Sequence, residues 1–392
     1  MKIIAFYLPQ FHNIPENDLW WGDGFTEWTN VKAAKPLFKG HIQPKIPLND
    51  NYYNLLDDEI KLWQANLAKE YGIYGFCYYH YWYNGKLLLE KPMEQMLNNK
   101  KIDLPFCICW ANEPWTKIWV GEKKVLYPQM YGGQKEWEEH FRYLLPFLKD
   151  SRYIYKNGKP LIFFYNPEQI SCINEMVEFW KKCATDEGLP GLTIVARYVD
   201  ENFMCSNKVK CIDYFVEWQP RSAKKVQKKD PISNSKVKAL RRRFYEYLSN
   251  VLGVDAYQYS LIAKIKSLND SRIKSYDEVW ENIIRKKPSC KNCIPGAFVR
   301  WDNSPRFQKK ATIIKGETPQ KFKEYLSRQI KHAENDYHQD MLFLFAWNEW
   351  AEGGYLEPDE QNGYAYLEAV RDALRESDEC MGEKKQALEG MP

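Results

Sequence analysis

Met341-Leu342-Phe343-Leu344-Phe345-Ala346-Trp347 runs directly into Asn348-Glu349-Trp350-Ala351-Glu352-Gly353-Gly354. The first seven residues leave no polar face, so they read as a strand covered on both sides, as in a parallel sheet flanked by helices. Nothing in that apolar pattern calls for an amide and two carboxylates at its end. In a barrel of parallel strands, the rim where strands stop and loops begin is where chemistry is done.

Seven more runs of this kind lie upstream: Lys2–Leu8, Gly72–Trp82, Pro105–Trp110, Pro160–Tyr165, Leu192–Tyr198, Cys211–Trp218 and Gly296–Trp301. Between them come stretches with helical spacing, at 57–71, 134–149, 174–187, 318–335 and 364–375. In the first of these Ile60, Trp63, Leu67 and Tyr71 share one face behind an acidic first turn. Eight strands alternating with helices predict the α/β class and a single (β/α)8 TIM barrel. A doubly wound open sheet is the competing arrangement, but no glycine-rich phosphate loop follows the first run. The barrel is expected over residues 1–376, with long loops at 9–51, 111–133 and 219–294, the last between strands 6 and 7. Residues 377–392 read as a polar, frayed tail.

Composition narrows the function. The chain has 392 residues, 44% hydrophobic and 28% charged, as in an ordinary globular protein, but aromatics reach 16% with 15 Trp and 27 Tyr. A net charge of +4 is too mild to make nucleic acid the expected partner. Ten Lys and Arg against Asp230 alone crowd residues 221–243. This basic run is a solvated loop or a contact for an anionic partner such as the inner leaflet or a lipid-linked saccharide. No stretch is long and apolar enough for a membrane span, and Met1–Pro9 is too short for a signal peptide. The expected location is therefore cytoplasmic, with peripheral contact at the inner membrane through 221–243, and with the ten cysteines as thiols. Cys290-x-x-Cys293 lacks a second pair for zinc, and no cofactor or metal is expected.

Eleven of the 15 tryptophans fall at strand ends or in the loops just after them: 20, 21, 28, 82, 110, 115, 119, 218, 301, 347 and 350. Flat rings beside carboxylates and amides suit a sugar, whose C–H faces stack while its hydroxyls take hydrogen bonds. Glu349 and Glu352 can divide into proton donor and base, as cleavage of a glycosidic bond requires. The substrate-binding candidates are Tyr7, Glu27, Trp28, His80, Tyr81, Trp82, Trp110, Asn112, Glu113, Arg197, Trp218, Trp301, Asn348 and Trp350. Asn112-Glu113-Pro114 is also similar to the acid/base motif of retaining glycosidases, though there it follows strand 4 and here strand 3.

Separated motifs then carry a resemblance to one family. They are Ala5–His12 (AFYLPQFH), Trp21–Trp28 (WGDGFTEW), Gly75–Trp82 (GFCYYHYW), Trp110–Glu113 (WANE), Trp301–Arg306 (WDNSPR) and Trp347–Gly353 (WNEWAEG). Through these the chain resembles the WbsX-like family, also described as glycoside hydrolase family 99-like, over most of its length. The resemblance implies a (β/α)8 barrel. The related family 99 enzymes are retaining endo-α-mannosidases whose two glutamates match Glu349 and Glu352. Carried over, Glu349 is the base that draws the proton from the sugar's 2-hydroxyl, and Glu352 protonates the leaving oxygen and later activates water. After Trp-Ala-Asn-Glu the family continues Asn-Trp-Thr-Arg-Arg-Trp-Asp-Gly, whereas this chain reads Pro114-Trp115-Thr116-Lys117-Ile118-Trp119-Val120-Gly121. An Arg and an Asp are absent there, so specificity does not carry over. The expected substrate is a surface polysaccharide or mannan-like oligosaccharide, free or lipid-linked. The alternatives are a glycosyltransferase of O-antigen or capsule synthesis and a catalytically silent carbohydrate-binding barrel.

Overall fold

A computed structural model describes residues 1–116, 125–223 and 272–389. The strands are β1 (Lys2–Tyr7), β2 (Gly75–Tyr83), β3 (Phe106–Trp110), β4 (Lys159–Phe164), β5 (Thr193–Arg197), β6 (Tyr214–Val216), β7 (Cys293–Ile294), β8 (Gly296–Phe298) and β9 (Met341–Phe345). β1 to β7 pair in sequence, every ladder parallel, and β9 inserts between β8 and β1. This is the expected (β/α)8 barrel.

The seventh run differs in detail from its sequence reading. It begins earlier, at Cys293, and is broken by Pro295, which has no N–H to donate to a ladder. β7 pairs with β6 and β8 pairs with β9, so the chain itself joins the two ends of the hydrogen-bonded sheet. Gly296 sits at that junction because β6 leaves no room: a Cβ there would lie 2.0 Å from the Glu217 carbonyl oxygen. Gly296→Ala is therefore expected to destabilise the fold by at least about 2 kcal/mol, read as a lowered midpoint in thermal unfolding followed by circular dichroism. An unchanged midpoint would mean that the junction is not a packed one.

Four helices occupy their expected stretches within a residue or two: Asp58–Glu70, Gln134–Leu148, Ile173–Asp186 and Pro319–Asn335. Asp57 and Thr318 cap two of them by accepting from Glu59 N and Lys321 N. The last helix, Ala365–Glu389, runs across residue 376, so the boundary drawn there falls inside an element. Cys290 and Cys293 are joined as a disulfide, which corrects the expectation of ten thiols. Cys77, Cys107 and Cys109 are buried free thiols.

Three phenylalanines meet across the barrel axis: Phe6 on β1, Phe163 on β4 and Phe343 on β9, with centroids 5.4–5.5 Å apart. Above them Tyr79, Tyr165, Trp218 and Phe345 form a chain of ring contacts. This aromatic plug makes the barrel a packed core rather than a pore, and its upper layer is the floor of a cavity.

Candidate active site

The cavity has a volume of about 460 Å³ and opens where β1, β2, β3, β4, β6 and β9 end. Tyr79, Tyr81, Tyr83, Tyr165, Trp115, Trp218, Trp301, Phe307 and Phe345 give it aromatic walls, and Glu113, Arg221, Arg306, Glu349 and Glu352 its charges. That size and mixture match a small-molecule site, apolar surface with a few placed polar groups.

Local structure delivers both glutamates to one place. After β9, Asn348–Glu349 pairs antiparallel with Gly354–Tyr355, and Trp350–Glu352 forms a single 3₁₀ turn between them. Gly353 closes that turn at φ 64°, where a Cβ would come within 2.8 Å of Asp302 N. Asn348 stitches the segment to β1: its Oδ1 accepts from Leu8 N at 2.7 Å and its Nδ2 donates to Leu8 O at 3.0 Å. Trp347 and Trp350 donate their indole N–H groups to Glu357, at 3.0 and 2.6 Å. Gln64 and Tyr53 complete the buried Glu357 carboxylate with bonds of 2.6 and 2.8 Å. Burial pushes Glu357 up to about 7 against the pull of these four donors.

Arg306 is the hub. It stands on the short turn Ser304–Phe307, which Asp302 holds by accepting from Ser304 N at 3.0 Å. Its Nη1 donates to Glu352 Oε1 at 2.7 Å, its Nη2 to Glu349 Oε2 at 3.3 Å and its Nε to Glu27 Oε1 at 2.8 Å. Burial pushes Glu349 up to about 8; Arg306 opposes this, and the charges of Glu352 and Glu27 add to it. Burial works against the charge of Arg306, but its three carboxylates outweigh that cost and hold it well above its ordinary value. The arrangement can therefore keep one proton on a pair of carboxylates near neutral pH.

Of the residues expected from sequence, Tyr81, Glu113, Trp218, Trp301, Glu349 and Glu352 line the cavity. The others are placed elsewhere, and strand alternation explains most of it. On β2, Tyr79, Tyr81 and Tyr83 face the cavity, so His80 and Trp82 face out. His80 Nε2 meets His140 Nε2 at 2.9 Å, and Trp82 lies flat on His140 at 4.5 Å. Trp110 packs on Trp180 and His140 in the same outer layer. Tyr7 bonds Gln64 at 2.6 Å behind the Glu357 carboxylate, Trp28 packs between Phe11 and Trp350, and Trp350 and Asn348 are buried as described. Asn112 grips the backbone of Asn166 at 2.7 and 2.8 Å. The Asn166 side chain in turn bonds both Glu113 and Arg197. Arg197 also pairs with Glu168 at 3.0 Å and lines a second cavity of about 790 Å³, which shares Trp218 and Arg221 with the first. Trp119 and most of the basic run, from residue 224 on, lie outside the described residues.

Sequence reasoning missed Arg306, although it closes a motif singled out there, and missed Tyr79, Tyr83 and Tyr165; Trp115, one of the eleven rim tryptophans, does line the cavity. The period of two along Cys77-Tyr78-Tyr79-His80-Tyr81-Trp82-Tyr83 was the available signal for the tyrosines. Among the described residues no group of three His, Cys, Asp or Glu side chains could hold a metal ion, and no helix is long and apolar enough to cross a membrane.

With this geometry in place, the chain can be set beside known proteins. The uncharacterized protein WxcX of Xanthomonas campestris pv. campestris (strain B100) is 33% identical over 375 residues, covering 95% of this chain and 49% of that protein. The chain thus spans about half the length of that curated relative. In structure it is similar to the GH99 endo-alpha-mannosidase from Bacteroides thetaiotaomicron, with TM-score 0.54 at 13% identity, covering 97% of this chain and 98% of the other. A glycoside hydrolase-like protein matches with TM-score 0.53 at 10% identity, over 95% and 93% of the two chains. At those identities the likeness concerns the fold. The family described as Glycosyltransferase WbsX matches residues 3–370, nearly the whole sequence, and the chain belongs to that family.

Proposed function

We propose that this protein breaks and re-forms glycosidic bonds of a surface polysaccharide or mannan-like oligosaccharide, with Glu349 as base and Glu352 as acid/base. The observation that carries this reading is the convergence of both carboxylates on Arg306 in the wall of an aromatic cavity. Sugar C–H faces can stack on Tyr79, Tyr165 and Trp218, while Glu113 and the acid–base pair meet hydroxyls. A sugar hydroxyl is a very weak acid, and a carboxylate desolvated to about 8 is a better base for it than an exposed one. Glu352 is the more open of the two, with 18% of its side chain exposed against 6% for Glu349. It therefore has the access needed to protonate a leaving oxygen and then deprotonate an incoming one. If that incoming group is water the outcome is hydrolysis; if it is another sugar hydroxyl the outcome is transfer, so the family's glycosyltransferase description and a hydrolase-like pair share one chemistry.

One observation favours the reverse division of roles. Glu349, raised to about 8, carries a proton at neutral pH, as a general acid must. The pH dependence of kcat/KM separates the two, because it reports the free enzyme. With Glu349 as base, the group must lose its proton before reacting, and kcat/KM is expected to rise as pH passes through about 8. A fall through the same range would assign Glu349 as the acid, and Glu352 as the base.

A further inference from the structure

Glu27 opens the helix Glu27–Ala33, is fully buried and has no place in the cavity wall. Sequence reasoning put it among the substrate contacts; the structure puts it behind Arg306. Its Oε1 takes the Arg306 Nε–H at 2.8 Å, while its Oε2 meets no hydrogen-bond donor among the described residues. A buried carboxylate with one bare oxygen is costly unless a countercharge stands beside it, and here that countercharge is Arg306. The attraction works both ways. Among the carboxylates that hold Arg306 ionised, Glu27 acts most strongly, ahead of Glu352 and Glu349.

We propose that Glu27 is a positioning residue that anchors Arg306 and divides the guanidinium's charge between itself and the two carboxylates facing the cavity. The inference rests on the reading of Glu349 and Glu352 as the acid–base pair. The physical need is plain. A whole positive charge shared by Glu349 and Glu352 alone would favour ionising both and leave no proton to donate. With no positive charge beside it, buried Glu349 would hold its proton more tightly still, and the base would be lost. Glu27 takes a share of Arg306 without touching substrate, and its anchoring helix keeps the guanidinium fork in one orientation. The charged and titratable groups facing Glu349 are Arg306 from the turn Ser304–Phe307, Glu352 from its own 3₁₀ turn, Glu27 from its helix, and Tyr79 and Tyr81 from β2.

The test is a carboxyl ¹³C NMR titration of the full chain labelled at glutamate, without saccharide, with the Glu349 signal assigned by its loss in Glu349→Gln. Glu27→Gln removes a negative charge and leaves Arg306 to the other two, so the Glu349 midpoint should fall by about one pH unit or more. Arg306→Gln should move the same midpoint up by a similar amount. Arg306→Lys keeps the charge without the fork and should fall between Arg306→Gln and wild type. If Glu27→Gln does not fold, Glu27→Asp, which draws the carboxylate back from Nε, should give a smaller downward move. An unmoved midpoint in the Glu27 variant overturns the proposal. So does movement in the same direction in the Glu27→Gln and Arg306→Gln variants, the outcome when a site merely opens to water. Because no saccharide enters the titration, opposite shifts in a protein without turnover would keep the charge linkage and remove only the catalytic reading.

Discussion

Glu352→Gln is expected to lower kcat/KM by about 10²–10⁴-fold, the usual worth of a positioned acid/base group, and to leave saccharide affinity unchanged. The amide keeps the size of the side chain and its carbonyl oxygen can still accept from Arg306 Nη1, so the cavity wall is preserved. What is lost is the exchangeable proton. Steady-state kinetics paired with calorimetric binding would separate the two effects. Equal loss of binding and turnover would point to a contact made in ground and transition states alike. Unchanged turnover would remove Glu352 as the acid/base, and binding without turnover in the wild type would identify a binding barrel instead of an enzyme.

The largest effect on stability is expected at Glu357, which does not line the site cavity. Tyr53, Gln64, Trp347 and Trp350 all donate to its two buried oxygens. Glu357→Leu removes the acceptor for all four at once. Each buried donor left without a partner costs about 1–3 kcal/mol, and although the four are not additive, a loss on the order of 4 kcal/mol or more is expected. Chemical denaturation with two probes would measure it. Glu357→Gln should cost less, because one oxygen still accepts, though its amide hydrogens then confront two of the former donors. Both changes loosen Trp350, one of the two residues between the site glutamates, so turnover should fall together with stability. A Glu357→Leu variant as stable as wild type would show that the network is not what holds the 3₁₀ turn.

The eight apolar runs and the rim position of Glu349 and Glu352 were legible because burial on both faces writes itself as unbroken hydrophobic sequence. The break in the seventh run was less so. Pro295 sits within Cys293–Phe298, and only the pairing of β7 with β6 and of β8 with β9 shows why a proline is tolerated there. In the site, residues were picked by type where alternation should have sorted them. His80 and Trp82 are as polar and aromatic as Tyr79 and Tyr81 but lie one residue out of phase, and a strand turns each successive side chain to the opposite face. The tryptophan excess likewise divided in two. Trp115, Trp218 and Trp301 face the cavity, whereas Trp110, Trp347 and Trp350 are wholly buried behind the strands and loops that build it. Arg306 and Glu27 come from segments far apart in sequence, as do Glu357 and its donors Tyr53 and Gln64, and no local pattern says that either set meets.

The central claim is that the chain's own carboxylates act on a glycosidic bond. Its most direct test is to incubate the full chain with a panel of surface-polysaccharide and mannan oligosaccharides, with no nucleotide-sugar present, and to follow product masses over time. The predicted result is shortened or rearranged oligosaccharides with wild type and none with Glu349→Gln or Glu352→Gln. Product that forms only when a nucleotide-sugar is supplied, or that forms equally with both variants, would contradict it.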